Sequence, residues 1–411
     1  MRIPLRGRVA ACAWLGVAVC LPLVTWALVR GAENQASAPG RVVRGVVFED
    51  TNANGLRDVG ERGLPRVGVS DQVTFVVTAE DGSYRLETSS SSGVVFVRAP
   101  DGWAPASGFW RPLSDAPGEH PVDFALRSRA RESEFAFVHA SDLHLSESSL
   151  PRLRLLREAV ERLRPALVLI TGDLVRDALR VPETEARGYY ELLVSELALF
   201  SAPVWTVPGN HDLFGVERHL SLVSPQHSLY GKRMYRHYLG PNYYSFTCNG
   251  VHFIGLDTAD VDDLWYYGHI DATQLEWVKR DLASLPPGTP VVTFNHIPLL
   301  TAVEALAGYR EQPPAPSLIR VAGTTSYRHV VSNTSALLGL IKNFHLELAL
   351  GGHMHARESL TYEVRGKRMR FHQAAAIAGP SDPAGLTMLS GFTVYRVRDG
   401  KVDDGAFVPL P

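Results

Sequence analysis

Asp142 and His144, Asp173, Asn210 and His211, His296, and His353 and His355 are metal-ligating residue types gathered in five short clusters along the chain. Each cluster directly follows an apolar run: FAFVHA precedes SDLH, ALVLIT precedes GD, VWTVP precedes GNHD, VVTF precedes NH, and LELAL precedes GGHMH. Short apolar runs bounded by turn residues read as buried strands. In α/β sheets ligands collect beyond the carboxyl ends of strands, which is where all five clusters fall. Asp, Asn and His together make a mixed nitrogen and oxygen donor set. Such a set suits manganese, iron or zinc better than calcium or magnesium and does not select among the three.

The local spacing adds a geometric expectation. Asp142 and His144 are two residues apart, as are His353 and His355. In extended backbone the side-chain period is two, so each pair would project to one side and reach one ion or two neighbouring ions. Asn210 and His211 are adjacent and should diverge, one toward metal and the other toward substrate. Glycines at 172, 209, 351 and 352 suit tight turns and close backbone approach. A lone His in a strand is usually core or surface, and Gly-Asp is a common turn. The signal lies in the ordered set.

The elements needed to carry these clusters are legible around them. LRLLREAVERLR, GYYELLVSELALF and ATQLEWVKRDLASL are amphipathic at helical spacing and alternate with the apolar runs from Phe135 onward. This alternation predicts an α/β core over 135–411. Before it, residues 45–127 read as short alternating strands separated by Gly, Asp, Asn and Ser, the pattern of a small all-β sandwich. The polar, Arg-rich stretch 128–134 has no periodicity and is expected to be a linker.

Within the sandwich, Asp50, Asn52, Asn54, Gly55, Asp58 and Glu61 fit a twelve-position calcium loop, with strand-like rather than helical flanks. Alternate side chains turn oxygens inward, Gly permits the sharp bend, and the last Glu can close bidentately. The loop resembles those of calcium-binding β-sandwich repeats in bacterial surface proteins, and this likeness implies a structural ion. An Asn-rich turn that binds nothing is the alternative.

At 411 residues the chain exceeds what one hydrophobic core usually serves, and 45% hydrophobic with 20% charged residues is ordinary globular composition. A net charge of -2 argues against a broad basic face for nucleic acid. Val9 to Val29 is an uncharged stretch of 21 residues, preceded by Arg2, Arg6 and Arg8. It is long enough to span a bilayer, and Ala36-Ser37-Ala38 beyond it has the small-x-small form of a cleavage site. Residues 1–38 are therefore expected to be a signal peptide or a membrane anchor. Either places the remainder outside the cytoplasm, secreted, periplasmic or held on the outer face of the membrane. Cys12 and Cys20 lie inside the apolar stretch, which leaves Cys248 alone in the exported part, with no intrachain disulfide to form there.

The order D-x-H, G-D, G-N-H-D, N-H, G-H-x-H resembles the calcineurin-like metallophosphoesterase family across 135–411. The resemblance implies a β-sandwich core flanked by helices. It also implies that Asp142, His144 and His355 bind one metal, that Asn210, His296 and His353 bind the other, and that Asp173 bridges them. Two carboxylates against two divalent ions leave the site about +2, suited to a phosphate ester. By the same likeness, a metal-bridging hydroxide attacks phosphorus in a monoester or diester. His211, outside the metal shell, assists the leaving oxygen. Asp212 could orient His211 or cap the next helix.

Residue differences narrow the branch. Protein serine/threonine phosphatases carry Asp-Arg-Gly after the G-D motif and end the Asn motif in Glu, whereas this chain reads GDLVRDA and GNHD. Purple acid phosphatases have a Tyr ligand where Arg176 stands. D-x-H with GNHD is more similar to the cyclic-nucleotide phosphodiesterase branch, which is broad in substrate. Two long inter-motif segments are expected to shape the pocket. Leu213 to Tyr244 carries Arg218, His219, His227, Lys232, Arg233, Arg236 and His237, and Thr301 to Asn333 is the second. His139, His252, His345 and His372 sit in or beside apolar runs and read as core or strand-edge residues. Two other functions remain open. One is a surface adhesion or scaffolding protein that keeps the fold without turnover, and the other is a phosphoesterase of envelope lipids.

Overall fold

The computed structural model describes residues 41–88, 93–312, 316–364, 366–382 and 387–411. The apolar stretch Val9 to Val29 and the Ala36-Ser37-Ala38 site lie outside these residues. Among the described residues no helix is long and apolar enough to cross a membrane.

Alternating burial builds two six-stranded sheets in the C-terminal region. In the first, strands Glu134–Ala140, Leu167–Thr171 and Val204–Val207 run parallel, and Gly391–Arg398 joins antiparallel to Glu134–Ala140. In the second, Val251–Leu256, Pro290–Asn295, His345–Gly351 and Lys367–Gln373 are parallel, with antiparallel Tyr244–Cys248 and Glu358–Val364 at the two ends. Because successive side chains alternate across a strand, Phe137 and Leu169 face the second sheet while Val138, Val168 and Ile170 face the other way. Phe137 meets Phe253 edge-on with centroids 5.6 Å apart, and Trp205 stacks on Phe246 at 4.0 Å. These contacts fix the two sheets face to face.

Helices cover the outer faces. Leu150–Leu163 and Glu183–Leu197 bury Leu153, Leu156, Val160, Tyr190 and Leu193 against Val168 and Ile170. Ala272–Ala283 and Thr334–Ile341 add Trp277, Val278, Leu282, Leu337 and Ile341 to the core between and behind the sheets. Pro151 at the first turn suits the start of the first of these helices, and Asp271 caps the third by accepting a hydrogen bond from the Gln274 N–H at 3.0 Å. The second helix begins at Glu183, a turn before the expected Gly188. Glu183 and Glu185 supply carboxylates to its first turn, where the helix dipole favours them.

The region before Glu134 is all β, in two packed sheets. One pairs Ser83–Thr88, Arg41–Glu49, Phe124–Ser128 and Trp103–Pro105, with Gly118–Pro121 also on Arg41–Glu49; the other holds Phe75–Val77, Gly68–Ser70, Val94–Arg98 and Trp110–Pro112. Val43, Val47, Val69, Leu86, Val97 and Phe124 form the core between them. This sandwich packs directly on the larger region. Arg98 pairs with Asp281 at 3.0 Å, Trp277 Nε1 donates to Ser70 Oγ at 3.0 Å, and Phe109 lies 4.9 Å from both Trp205 and Tyr244.

Candidate metal centre

The five strand ends converge at one edge of the two facing sheets, and their loops hydrogen-bond to one another. Asp142 N–H donates to the Gly172 carbonyl at 3.1 Å, His144 N–H to that of Asp173 at 2.9 Å, and Gly352 N–H to that of His296 at 2.9 Å. Asp142 accepts the His353 N–H, and Asp173 accepts the His211 N–H at 2.8 Å. Buried Asp212 accepts from the Gly209, Leu174 and Val175 N–H groups at 2.7, 2.9 and 3.0 Å. Asp212 thus staples the loop after Leu167–Thr171 to the loop after Val204–Val207. It neither orients His211 nor caps a helix. Burial and the neighbouring Asp173 charge push its carboxyl up to about 7, with those backbone donors pulling the other way.

The paired ligands converge by a different backbone from the extended one expected. Asp142, His144, Asp173, His353 and His355 all have positive φ, from 40 to 71°. Non-glycine residues there cost on the order of 1–3 kcal/mol each and persist only where surrounding bonds over-determine them. The loop-to-loop hydrogen bonds above do this. Close approach is also built in: a Cβ on Gly209 would stand 2.2 Å from Asp173 Oδ1, and one on Gly352 would stand 1.9 Å from Ser141 Oγ.

Two groups of donor atoms result. Asp142, His144, Asp173 and His355 form one and Asp173, His296 and His353 the other, each with its donor atoms within 4.8 Å of one another. Asp173 belongs to both: Oδ1 lies 3.2 Å from His296 Nε2 and Oδ2 lies 3.7 Å from His144 Nε2. His355 Nε2 lies 3.2 Å from Asp142 Oδ1. Asn210 Oδ1 stands 3.1 Å from His296 Nε2, beside the second group.

The donor set fits metal. His144 Nε2 faces His355 Nε2 at 3.1 Å, and His353 Nδ1 faces His296 Nε2 at 3.2 Å, with both carboxylates aimed at the same points. Ring nitrogens this close either share one hydrogen or turn two lone pairs on a common cation, and the two carboxylates at the same points favour the cation. The far nitrogens are tied off, His296 Nδ1 to the Thr171 carbonyl at 2.8 Å and His144 Nδ1 to that of Arg176 at 3.3 Å. A carbonyl only accepts, so both rings carry hydrogen on Nδ1, and Nε2 is the nitrogen each turns toward the carboxylates, for a proton or a metal ion. Burial disfavours charge on His296, yet the Asp173 carboxylate overcomes it and pulls the imidazole up to about 9.

His211 stands outside both groups. Its ring is edge-on to His144 at 4.7 Å, with Nδ1 3.1 Å from the Arg176 carbonyl and 3.6 Å from Asp177 Oδ1. Burial lowers its affinity for a proton, but the Asp173 and Asp177 carboxylates outweigh that and hold it above the usual histidine range.

An open cavity of about 670 Å³ covers the ligands, lined also by Arg176, Tyr266, Glu304, Arg310, Ser317 and His329. Of the two inter-motif segments, Thr301 to Asn333 lines it. The basic residues between Leu213 and Tyr244 do not, among the described residues. Four of them are engaged in structural bonds instead: Arg218 with Asp263, His227 with Glu183 at 3.0 Å, Lys232 with Asp257 at 2.7 Å and Arg236 with Asn242 at 2.8 Å. His139, His252 and His372 are buried outside both donor groups, each with a ring nitrogen on Thr171, Asp281 or Tyr395 respectively, and His345 is exposed at a strand start. Arg176 and Asp177 could have been suspected from their place just after the G-D motif. Tyr266 and His329 carry no such signal.

The calcium-type loop is a separate structure. Asp50 accepts from the Ala53 and Gly55 N–H groups at 2.6 and 2.9 Å. Asp58 Oδ2 accepts from the amides of Asn52 and Asn54 at 2.7 and 2.8 Å, and Glu61 accepts from the Thr51 and Asp58 N–H groups at 2.8 and 3.0 Å. Gly55 takes a left-handed φ of 75° at the bend.

Facing sheets, flanking helices and clustered Asp and His donors at the strand ends define a hydrolase that works through bound metal. Residues 135–357 match the family described as calcineurin-like phosphoesterase, and residues 51–129 match the one described as the N terminal of calcineurin-like phosphoesterase. The chain belongs to the calcineurin-like phosphoesterase family and is a metal-dependent phosphoric ester hydrolase. It is 26% identical over 250 residues to a 3',5'-cyclic-nucleotide phosphodiesterase of Nostoc, covering 58% of this chain and 75% of the relative. A cAMP/cGMP dual specificity phosphodiesterase of Mycobacterium tuberculosis is also 26% identical over 250 residues, 57% of this chain and 67% of the relative. Among solved structures, a dimetal phosphatase from Danio rerio aligns with TM-score 0.41 and 15% identity, over 64% of this chain and 93% of that one. GAP50, described as the anchor in the inner membrane complex of Plasmodium, aligns with TM-score 0.42 and 14% identity, over 68% and 85%.

Proposed function

We propose that the protein is an exported dinuclear phosphoesterase that hydrolyses phosphodiesters in preference to monoesters. The observation that carries the dinuclear reading is Asp173, whose two oxygens face two separate groups of donors. Asp142, His144 and His355 would hold one divalent ion and Asn210, His296 and His353 the other. Two such ions supply Lewis acidity and an activated water. His211 then does the acid work: its ring lies beside His144 at the cavity wall, and the Asp173 and Asp177 carboxylates favour the protonated form that a leaving alkoxide needs. Arg176 and Arg310 offer positive charge to the ester's remaining oxygen or its anionic substituent. The cyclic-nucleotide phosphodiesterases among the relatives favour a diester.

The direct test is Mn²⁺-, Fe²⁺- or Zn²⁺-loaded protein assayed in parallel on an aryl phosphate monoester, the matching bis-aryl diester, and cyclic AMP and GMP. A diester-to-monoester kcat/KM ratio above about 10 is expected, a discrimination within reach of one or two pocket contacts. A ratio below one would overturn the diester preference. Metal-loaded protein inert on every ester would favour a scaffold instead. In the same proposal residues 1–38 direct export, and the Asp50 to Glu61 loop takes a structural Ca²⁺.

A further inference from the structure

His353 presents its two ring nitrogens to two different neighbours. Nδ1 lies 3.2 Å from His296 Nε2, within the second donor group. Nε2 lies 2.7 Å from Nδ1 of His329. Two imidazole nitrogens that close share a single hydrogen. A neutral His353 has one ring proton, so its position decides whether Nδ1 keeps a lone pair for metal. With the proton on Nε2 and donated to His329, Nδ1 is bare. With it on Nδ1, the ring cannot serve the second group.

Two of the other ligand histidines solve this problem with backbone carbonyls, His296 through Thr171 and His144 through Arg176. Among the described residues no carbonyl takes that place for His353, whose Nε2 faces His329 Nδ1 instead. We propose that His329 is a positioning residue: it accepts the Nε2–H of His353 and so holds that imidazole in the tautomer and orientation that ligates the second metal. This rests on the dinuclear reading above.

The surroundings keep the pair in place. The two rings stack at 5.0 Å with 22° between their planes, and Tyr266 stands edge-on to both, 5.8 Å from His353 and 6.1 Å from His329. The Arg328 guanidinium lies over Tyr266 at 4.2 Å and over Trp265 at 4.9 Å. On either side of His329 the backbone is tied down, Arg328 N–H to the Ser317 carbonyl and Val331 N–H to that of Pro298, both at 2.9 Å. An acceptor fixed this firmly restrains its partner, which a solvated side chain does not.

Mn²⁺ titrated into metal-stripped full-length protein, with free ion read by electron paramagnetic resonance, tests this without turnover. Wild type should take two ions per chain. His329→Phe keeps a ring but no acceptor, and should weaken the second ion about 10- to 100-fold while leaving the first unchanged, the usual effect of removing an outer partner. His329→Gln, whose amide oxygen can accept, should stay close to wild type. His329→Leu repeats the measurement if the Phe variant does not fold, as judged by melting of the metal-free protein. Isotherms unchanged in both acceptor-free variants overturn the proposal, and a raised KM with unchanged isotherms would make His329 a substrate contact instead. Fewer than two ions in wild type would sink the dinuclear reading itself.

Discussion

His211 and Asp173 are joined directly, the His211 N–H on Asp173 Oδ1 at 2.8 Å, yet their side chains do different work. Asp173 offers an oxygen to each donor group, whereas the His211 ring joins neither. His211→Ala should therefore keep both ions and lose about 10²- to 10⁴-fold in kcat, the range of a general acid. Asp173→Asn should lose metal first, since an amide brings no charge to either group. Metal content set against kcat in the two variants separates the roles. Wild-type turnover in the alanine variant would remove His211 from the reaction.

Between elements, the most informative junction is buried Asp281 on the helix Ala272–Ala283. It lies 2.8 Å from His252 Nε2 on a strand of the second sheet and 3.0 Å from Arg98 of the N-terminal sandwich. Burial opposes its charge, but His252 and Arg98 outweigh it and bring the carboxyl down to about 2. A carboxyl depressed on folding stabilises the fold above its unfolded pKa, near 4, and loses that contribution as pH falls through 2. The window is pH 4 to 2, and the contribution is roughly 2–3 kcal/mol. Asp281→Asn should lower the melting temperature at neutral pH, because Arg98 keeps a buried charge with its partner gone. It should also flatten the acid limb in that window, read by thermal melts across pH. An unchanged acid limb would show that the junction contributes nothing through this carboxyl.

At the scale of the whole molecule, the sandwich and the catalytic core share an interface of aromatic rings and hydrogen bonds through Phe109, Trp205, Tyr244, Ser70 and Trp277. Stabilising one should therefore stabilise the other. If the Asp50 to Glu61 loop holds Ca²⁺, millimolar Ca²⁺ should raise the melting temperature of chelator-treated protein by about 1–3 °C, as roughly 1–2 kcal/mol of linkage does for a coupled unit of this size. Asp58→Ala should abolish that rise. An exported chain cleaved after Ala38 would show a mature mass beginning at Pro39, while an uncleaved anchor would keep the full 411 residues. No Ca²⁺ response in wild type would leave the loop as a turn held by its own hydrogen bonds.

The apolar strands and the metal-binding residue types at their ends were legible because burial and period are local properties: an apolar run closed by Gly-Asp or Gly-Asn-His-Asp carries its own address. The helix Ala272–Ala283 was legible for the same reason, from the helical spacing in ATQLEWVKRDLASL, though its Asp271 cap was not. Side-chain direction was not. Asp142 and His144 meet through left-handed backbone held by neighbouring loops, and no spacing rule for extended chain contains that. The Arg176 carbonyl against the His211 ring, the staple Asp212 makes to Leu174, and His329 behind His353 all join segments separated in sequence. The chain alone therefore determined which residues are available to bind metal. Only tertiary contact decided which nitrogen each imidazole presents, because a tautomer is set by whatever lies against the ring's other side.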